Sequence, residues 1–319
     1  MPTANNKKHP HLAKSVIMVE PVDFAFNEQT GVDNEFQHRP KMDESEAIRQ
    51  TAKLEFSKSI LQLELLGIEV LTLKKEHTSN ILPDAVFPNN WFSTRADGKI
   101  VIYPMKTPNR QNEVQQPQLT NLVTEANYRM DEIIDLRRLL SNKSALEGTG
   151  SIIFHHPTNQ IFAAISERCV EASLIEYAEL FGYKLNSFNT SSAQGNPIYH
   201  TNVLMSCGAD FAVITEEVIA KNNISEIIRT LSETVNDVIV ITEEQMAMNF
   251  CGNILQLTDQ QNQPVIALSK SAFDGFKPKQ RKQLENHGSL AICEIPTIEK
   301  IGGGSTRCML AENFLIKNS

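Results

Sequence analysis

The sequence is poor in the features that mark disulfide-bonded, zinc-binding, membrane or nucleic-acid-binding proteins. Its five cysteines in 319 residues are odd in number and show no CxxC or CxH spacing, so neither a disulfide framework nor a structural zinc site is expected. Its apolar stretches are short and broken by polar residues, which excludes a transmembrane helix. The net charge is −8, and there is one tryptophan and no basic stripe with interleaved aromatic residues. No nucleic-acid or membrane partner is therefore expected.

What is present is an ordinary globular composition. Hydrophobic residues make up 41% of the chain and charged residues 21%, which suits one large domain or two modest ones. The polar stretch 1–14 lacks the apolar core of a signal peptide. We expect it to be a disordered lead-in to a single domain over residues 15–319. Unpaired cysteines favour a reducing, cytoplasmic location.

One short pattern recurs five times, at intervals of roughly 50 to 60 residues. It consists of a loop of small or polar residues, then an asparagine or a substitute, then an apolar strand. The copies are FPNNWFS (87–93), EGTGSIIF (147–154), YHTNVLM (199–205), FCGNILQL (250–257) and GGSTRCML (303–310). This regularity predicts five structural repeats.

A second pattern lies between these loops: an amphipathic helix closed by Gly or Asn and followed by a strand. The helices are predicted at 45–66, 170–181, 225–235 and 277–287, and Ser225 is the predicted N-cap of the third. Each repeat then holds about one helix and three strands. Small α/β units cannot bury their sheets singly, so we predict an α/β fold whose five units close around an axis as blades. The alternative is a doubly wound α/β domain, but no GxGxxG motif or P-loop follows any strand.

Closure around an axis would bring the recurring loops to one mouth of a central channel. In the last loop, Cys308 follows three glycines, which allow close backbone approach. Arg307 and exposed amides there would favour a thiolate, the nucleophilic form of cysteine. The alternative for any cysteine is a buried structural role, and we expect that role for Cys169, Cys207 and Cys293.

Two further loops offer acid–base groups. His200, in PIYHTNV, shares the repeat position of Cys308 and suits general acid–base catalysis. Glu147, in LEGTGS, is costly to bury without a partner, so we predict that it holds substrate nitrogens and favours protonated His200. The alternatives are a hydrogen-bonded polar histidine with no role in catalysis and a helix-capping or exposed glutamate.

The motifs FPNNW, LEGTGS, PIYHTNV and GGGSTRCM, in this order, resemble those of the pentein superfamily of guanidino-group-modifying enzymes. That superfamily includes arginine deiminase, dimethylarginine dimethylaminohydrolase and the amidinotransferases. The similarity extends over residues 20–314 and looks closest to the branch of citrulline-utilisation hydrolases. The resemblance implies a five-bladed αβ propeller and a catalytic set of Cys308, His200 and Glu147. It also implies a covalent intermediate on the cysteine, formed without a metal or an organic cofactor.

The same resemblance implies substrate-binding arginines. Arg168, in ISERC, matches a segment in which arginine deiminases bind the substrate carboxylate, and Arg110 with Glu113 matches an Arg-x-x-Glu segment of those enzymes. Each charged group could instead belong to a surface salt bridge. Arg307 completes the predicted substrate-binding set.

One departure from the arginine deiminase pattern bears on the substrate. Where those enzymes place two aspartates on the guanidinium, this chain has Asn90 and Asn202. Carboxylates suit a cation that offers only donors, whereas an uncharged amide offers both an acceptor and donors and suits a neutral ureido group. We therefore predict hydrolysis of citrulline to ornithine, ammonia and carbon dioxide.

Other functions remain open from the sequence alone. A hydrolase of arginine or dimethylarginine would use the same chemistry, and an amidinotransferase would resolve the intermediate with an amine instead of water. A binding protein on the same fold would use none of it. The expected partner is a small amino-acid substrate, and a homodimer is left open. Residues 107–118 and 195–202 are lid candidates by composition.

Overall fold

The computed structural model describes residues 11–40, 44–75 and 80–318. Within them the chain forms fifteen short strands. In chain order these are β1 (Ser15–Val19), β2 (Glu69–Leu73), β3 (Phe92–Thr94), β4 (Lys99–Ile102), β5 (Glu132–Asp135), β6 (Ile153–His155), β7 (Gln160–Ala164), β8 (Lys184–Phe188), β9 (Met205–Cys207), β10 (Phe211–Thr215), β11 (Asp237–Ile241), β12 (Leu255–Thr258), β13 (Pro264–Ser269), β14 (Ser289–Cys293) and β15 (Ala311–Asn313).

Twelve helices, many of only one or two turns, lie in the same described ranges. They are α1 (Ser45–Leu65), α2 (Pro108–Gln111), α3 (Gln116–Glu125), α4 (Leu136–Leu139), α5 (Gly148–Ser151), α6 (Glu171–Phe181), α7 (Thr201–Leu204), α8 (Lys221–Thr234), α9 (Glu243–Asn249), α10 (Lys270–Gly275), α11 (Pro278–His287) and α12 (Pro296–Gly302). None of the helices in the described part of the chain combines the length and the apolar character needed to cross a bilayer.

The strands form five three-stranded sheets with one shared topology. The sheets are ordered β15-β1-β2, β3-β4-β5, β6-β7-β8, β9-β10-β11 and β12-β13-β14. In each, the middle strand is antiparallel to the first strand and parallel to the third. At least one helix connects every parallel pair, as such a crossover requires. The predicted repeat of about one helix and three strands is confirmed.

The predicted helices are all present, and their ends follow local chemistry. After α1, the N–H of Gly67 donates to Glu64 O and the N–H of Ile68 to Leu63 O, which is the hydrogen-bond pattern of a Schellman cap. The prediction for the third helix was wrong at its start, because α8 begins at Lys221 and Ser225 lies inside it without capping it. The first turn of α8 is polar and largely exposed, so apolar periodicity does not reveal it.

Both ends of the described chain meet in one sheet. In the register of β1, Ile17 pairs with Leu71 of β2 and with Ala311 of β15. Of the predicted lead-in, residues 1–10 lie outside the described residues. Ala13 is buried, and its carbonyl accepts a hydrogen bond from the amide of Thr258, 3.0 Å away. The packed chain therefore includes residues ahead of the predicted boundary.

Apolar cores lie between the sheets and their helices. Val16 and Met18 of β1, for example, pack in one cluster with Ile48 and Phe56 of α1. Burial of one such side chain contributes about 1.5–3 kcal/mol. Helices also pack on sheets other than their own: α1 contacts β14 as well as β2, and α3 contacts β2.

The recurring loops all occupy the same place in the fold, immediately before the first strand of a sheet. These first strands also link neighbouring sheets. Thr94 Oγ1 at the end of β3 donates to Glu312 O of β15, 2.9 Å away, and the amide of Ala209 after β9 donates to Gln256 Oε1 of β12, 2.7 Å away. The sheets are therefore joined through the strands that the recurring loops precede.

Candidate active site

Cys308 lies at the meeting point of three recurring loops. It is buried in the turn Thr306–Met309, and its amide donates to Ser305 O at 3.0 Å. Two side-chain amides approach its sulfur from other loops: Asn202 Nδ2 lies 3.3 Å and Asn253 Nδ2 3.2 Å from Cys308 Sγ. A thiolate at this position would therefore have two hydrogen-bond donors.

The side chains of His200 and Glu147 form a buried pair. His200 Nε2 lies 2.7 Å from Glu147 Oε2, and the amide of Lys106 donates to Glu147 Oε1 at 2.9 Å. Burial acts to raise the pKa of Glu147, but Arg168 and the bond from His200 outweigh it and lower that pKa to about 2. For His200, burial acts in the other direction and lowers the pKa, because it disfavours the charged imidazolium. Glu147 opposes this effect only in part. At neutral pH the pair is a carboxylate that accepts a hydrogen bond from a neutral imidazole.

Arg168 connects this pair to the segment between β1 and α1. We call this segment, residues 20–40, the strap. Two of its residues bind the guanidinium of Arg168. Arg168 bonds the carboxylate of Asp33, donates from Nη2 to Thr30 O at 3.2 Å, and places Nη1 3.7 Å from Glu147 Oε2. The guanidinium also lies over the ring of Tyr199, 5.0 Å from its centroid. Burial opposes ionisation of Asp33, but Arg168 and Lys106 outweigh it and lower its pKa.

Arg110 and Glu113 form a second buried ion pair, so the alternative of a surface salt bridge is wrong for them. Two nitrogens of Arg110 each lie 2.9 Å from an oxygen of Glu113. The third, Nη1, donates to Asn90 Oδ1 at 2.6 Å. Because a guanidinium only donates, this contact fixes the orientation of the Asn90 amide. Its Nδ2 group faces away from Arg110 and has no hydrogen-bond partner.

A small cavity connects these groups. One wall carries Asp84, which is fully enclosed; Asn27 and Thr30 donate to its Oδ2, and its Oδ1 has no partner. Burial raises the pKa of Asp84. The lining residues are Asn34, Asp84, Phe87, Asn90, Arg110, Arg168, Tyr199, His200, Gly302, Gly304 and Cys308.

The structure brings together all the predicted site residues except Arg307. The guanidinium of Arg307 points away from the cavity, where Nη1 donates to Leu310 O at 3.0 Å and Nη2 bonds Glu312 at 3.2 Å. It lines a different cavity, together with His156 and Gln256. The prediction that Arg307 acts beside Cys308 was wrong, because successive side chains of a tight turn point in different directions.

The remaining cysteines are free and lie away from the cavity. Burial raises the pKa of Cys169 and Cys207 to about 12 and that of Cys293 to about 11, which keeps these thiols protonated. Within the described ranges, no group of three or more His, Cys, Asp or Glu side chains is placed to hold a metal ion.

Three residues of the site were missed in the sequence. Asn253 occupies the same repeat position as Asn90 and Asn202, so the repeat itself was a usable signal for it. Asp33 and Asp84 lie in no repeat and reach the site only through long-range folding of the strap and of the segment before β3. No spacing in the sequence points to them.

Comparison with known proteins agrees with this geometry. A family model described as N,N dimethylarginine dimethylhydrolase, eukaryotic, matches residues 20–315. The chain belongs to this family. It is thereby a member of the pentein superfamily of guanidino-modifying enzymes, as its motifs indicated, and of the hydrolases that act on carbon–nitrogen bonds other than peptide bonds.

Solved structures of penteins share the fold at low sequence identity. The apo structure of ArgZ, an arginine dihydrolase of the ornithine–ammonia cycle in cyanobacteria, superposes with a TM-score of 0.71 at 16% identity over 93% of this chain. This chain spans 40% of that protein, but 96% of its substrate-bound N-terminal domain, for which the TM-score is 0.67 at 15% identity. A dimethylarginine dimethylaminohydrolase variant bound to S-methyl-L-thiocitrulline gives 0.65 at 11% identity, with 95% of this chain and 100% of that chain covered. Comparison with curated proteins gave no significant match.

Proposed function

We propose that this pentein hydrolyses the ureido group of a citrulline-type amino acid through a covalent intermediate on Cys308. The proposal rests on the orientation of Asn90. Arg110 occupies the oxygen of this amide, so Asn90 offers only N–H donors to the cavity. A ureido oxygen accepts such bonds, whereas a guanidinium presents only N–H groups and has no acceptor.

Asn202 complements this donor with an acceptor. Its Nδ2 group lies against Cys308 Sγ, and its Oδ1 is buried without a partner. A buried polar atom left unpaired costs about 1–3 kcal/mol, so a ligand that pairs it binds more tightly. One free donor and one free acceptor match the C=O and N–H groups of a ureido carbon.

The wall of the cavity away from the sulfur suits the amino-acid end of the substrate. Asp84 Oδ1 is an unpaired carboxylate oxygen that can bind an α-ammonium group. Arg168 lines the same cavity with a guanidinium that can bind an α-carboxylate. Structures of AgrE, a neighbour in fold, contain amino acids of this class: L-arginine in one and ornithine in another.

The reaction begins with transfer of the Cys308 proton to neutral His200, whose charged form Glu147 stabilises. The thiolate attacks the ureido carbon, and a carbon–sulfur bond forms. Ammonia leaves with the proton that His200 donates, which yields a thiocarbamate on Cys308. His200 then deprotonates water, which attacks the same carbon and expels the thiolate. The released carbamate loses carbon dioxide to give ornithine, so that citrulline and water become ornithine, ammonia and carbon dioxide.

We further propose that the five sheets are blades around a common axis and that residues 15–319 form a single catalytic unit. The links between first strands and the convergence of loops at Cys308 support this arrangement. A rigid ring suits catalysis because it holds groups from distant parts of the chain in fixed positions.

A second candidate is hydrolysis of a guanidino group, which the matching family model favours by its description.

Both candidates are tested by measuring ammonia or amine release from citrulline, arginine, dimethylarginine and agmatine, with Cys308→Ser as the blank. Asn90→Asp and Asn202→Asp should lower the ratio of citrulline to arginine turnover by about tenfold or more, since each replaces an amide by a carboxylate.

The outcomes separate the candidates. Release from citrulline that Cys308→Ser abolishes supports the proposal. Release only from arginine or dimethylarginine contradicts it in favour of guanidino hydrolysis. Turnover that needs an added amine indicates an amidinotransferase, and silence under every condition indicates a binding protein.

A further inference from the structure

We propose that Asn253 is a catalytic residue that donates a hydrogen bond to the Cys308 thiolate and holds it ready for attack. The inference deepens the function proposed above but rests on the sulfur, not on the identity of the substrate. In the sequence Asn253 is only a marker of the fourth repeat, and no motif assigns it a role in the reaction.

The orientation of the Asn253 amide is fixed by its contacts. Asn253 Nδ2 donates to the backbone carbonyl of Asn202 at 2.9 Å. A carbonyl oxygen can only accept, so the atom facing it is the nitrogen and not Oδ1. The second hydrogen of the same nitrogen is then available to Cys308 Sγ, 3.2 Å away. One amide group thus serves two acceptors.

The loop that carries Asn253 is built for this approach. Asn253 is completely buried, and its backbone N–H donates to Phe250 O at 2.8 Å. Phe250 itself has a left-handed backbone. Gly252 lets the fourth loop lie directly on the third, because a Cβ there would come within 2.3 Å of Val203 O. The loop therefore presses Asn253 against both Asn202 and Cys308.

The environment of the sulfur makes a donor from Asn253 effective. Within the described residues, Asn202 and Asn253 are the side chains that donate to Cys308 Sγ. Both are enclosed, so water cannot replace a lost donor freely. Hydrogen bonds to a charged acceptor in a dry site are stronger than those between neutral groups, and donors fixed in advance stabilise charge on a reacting atom.

The test is the pH dependence of Cys308 alkylation by iodoacetamide, in which a sulfur–carbon bond forms and iodide leaves. It needs no substrate, and subtracting the rate of Cys308→Ser removes the contribution of the other cysteines. In Asn253→Ala and Asn253→Leu we expect the midpoint of the alkylation curve to rise by about one pH unit or more. Turnover should fall at least about tenfold.

Gln280→Ala is the matched control. Gln280 is also buried, but its Nε2 group donates to Val240 O at 2.7 Å and its Oε1 accepts from the backbone amide of Lys277 at 2.8 Å, away from the sulfur. This variant should lose stability and keep the alkylation midpoint. A midpoint equal to that of the wild type in both Asn253 variants, with a melting temperature lowered as in Gln280→Ala, would show that Asn253 only holds the loop.

A measurement on the intact protein covers the case in which the Asn253 variants do not fold. With asparagine labelled in ¹⁵N, the side-chain amide signal of Asn253 should move with pH at the midpoint of alkylation and should not move in Cys308→Ser. A signal that does not titrate in the wild type would overturn the proposal. If none of the substrates is turned over, the proposed reaction is refuted, but the hydrogen bond from Asn253 to the Cys308 thiolate is not.

Discussion

At the scale of single residues, the site is defined by amides whose hydrogen-bonding groups are only half used. Asn90 gives its oxygen to Arg110, Asn253 gives its nitrogen to Asn202 O and Cys308, and each retains one unpaired atom. The sequence identified Asn90 and Asn202 as departures from the arginine deiminase pattern. It could not indicate which atom of either amide faces a substrate, because that depends on partners far away in the chain.

Gly150 makes this arrangement sterically possible. A Cβ at this position would lie 2.2 Å from Asn90 Nδ2 and 3.0 Å from both Cε1 and Nδ1 of His200. Gly150→Ala should therefore displace both side chains and lower kcat/KM by about 100-fold, since a shift near 1 Å in a reacting group has an effect of that size. The backbone of Gly150 is not left-handed, so the effect should be steric and local.

Gly182→Ala is the control for Gly150→Ala. Gly182 ends α6 with a left-handed backbone, and a Cβ added there would meet no other atom within 4 Å. The change should cost about 1 kcal/mol in the free energy of unfolding and leave kcat/KM unchanged. Steady-state kinetics and urea unfolding of both variants would decide; equal losses of activity would mean that Gly150 has no special role.

At the scale of elements, one segment beside the site was not indicated by composition. The segments 107–118 and 195–202, lid candidates by composition, carry Arg110, Tyr199 and His200 of the cavity wall, and their role as lids stays a prediction. The strap, between β1 and α1, contributes Asp33 and the carbonyl of Thr30 to the contacts of Arg168 beside Glu147. The helices themselves were predictable because burial alternates along them with helical periodicity, whereas contacts between a loop and a distant loop leave no periodic signal.

Asp33 should hold the strap closed. It bonds Arg168 and Lys106, which lie on either side of Glu147. Asp33→Asn removes a charge from both contacts, so we expect faster hydrogen exchange in the strap and a KM raised about tenfold, the effect of one charge-assisted hydrogen bond. Exchange mass spectrometry and steady-state kinetics measure the two effects.

The strap also offers a matched control in Glu28→Gln. Glu28 pairs with Arg39, but both side chains are about two-thirds exposed, at 66% and 64%. An exposed pair contributes little, so exchange and KM should both stay at the wild-type values. If Asp33→Asn behaved in the same way, the strap would be held by its backbone contacts and not by the charge of Asp33.

At the scale of the whole molecule, Cys308 lies beside a strand that joins both ends of the described chain. β15 follows Cys308 directly, pairs with β1, and touches β3 of the next sheet. The repeat predicted that loops from distant parts of the chain converge, because units of the same shape place their loops alike. It could not predict that the last strand would complete a sheet with the first, since pairing partners are not encoded in the spacing of a repeat.

The hydroxyl of Thr94 is the most direct link between these two sheets. It donates to Glu312 O at 2.9 Å and accepts from the amide of Phe314 at 2.7 Å. Thr94→Val keeps the shape of the side chain and leaves both backbone groups unpaired, so the free energy of unfolding should fall by about 2 kcal/mol. Because β15 anchors the turn that carries Cys308, kcat should fall as well.

Thr124→Val is the control: it removes an exposed hydroxyl bonded to Thr120 O within α3, and it should change stability by less than about 0.5 kcal/mol and leave kcat intact. Loss of stability in Thr94→Val with an unchanged kcat would show that the position of Cys308 is set within its own turn and not by the junction between the sheets.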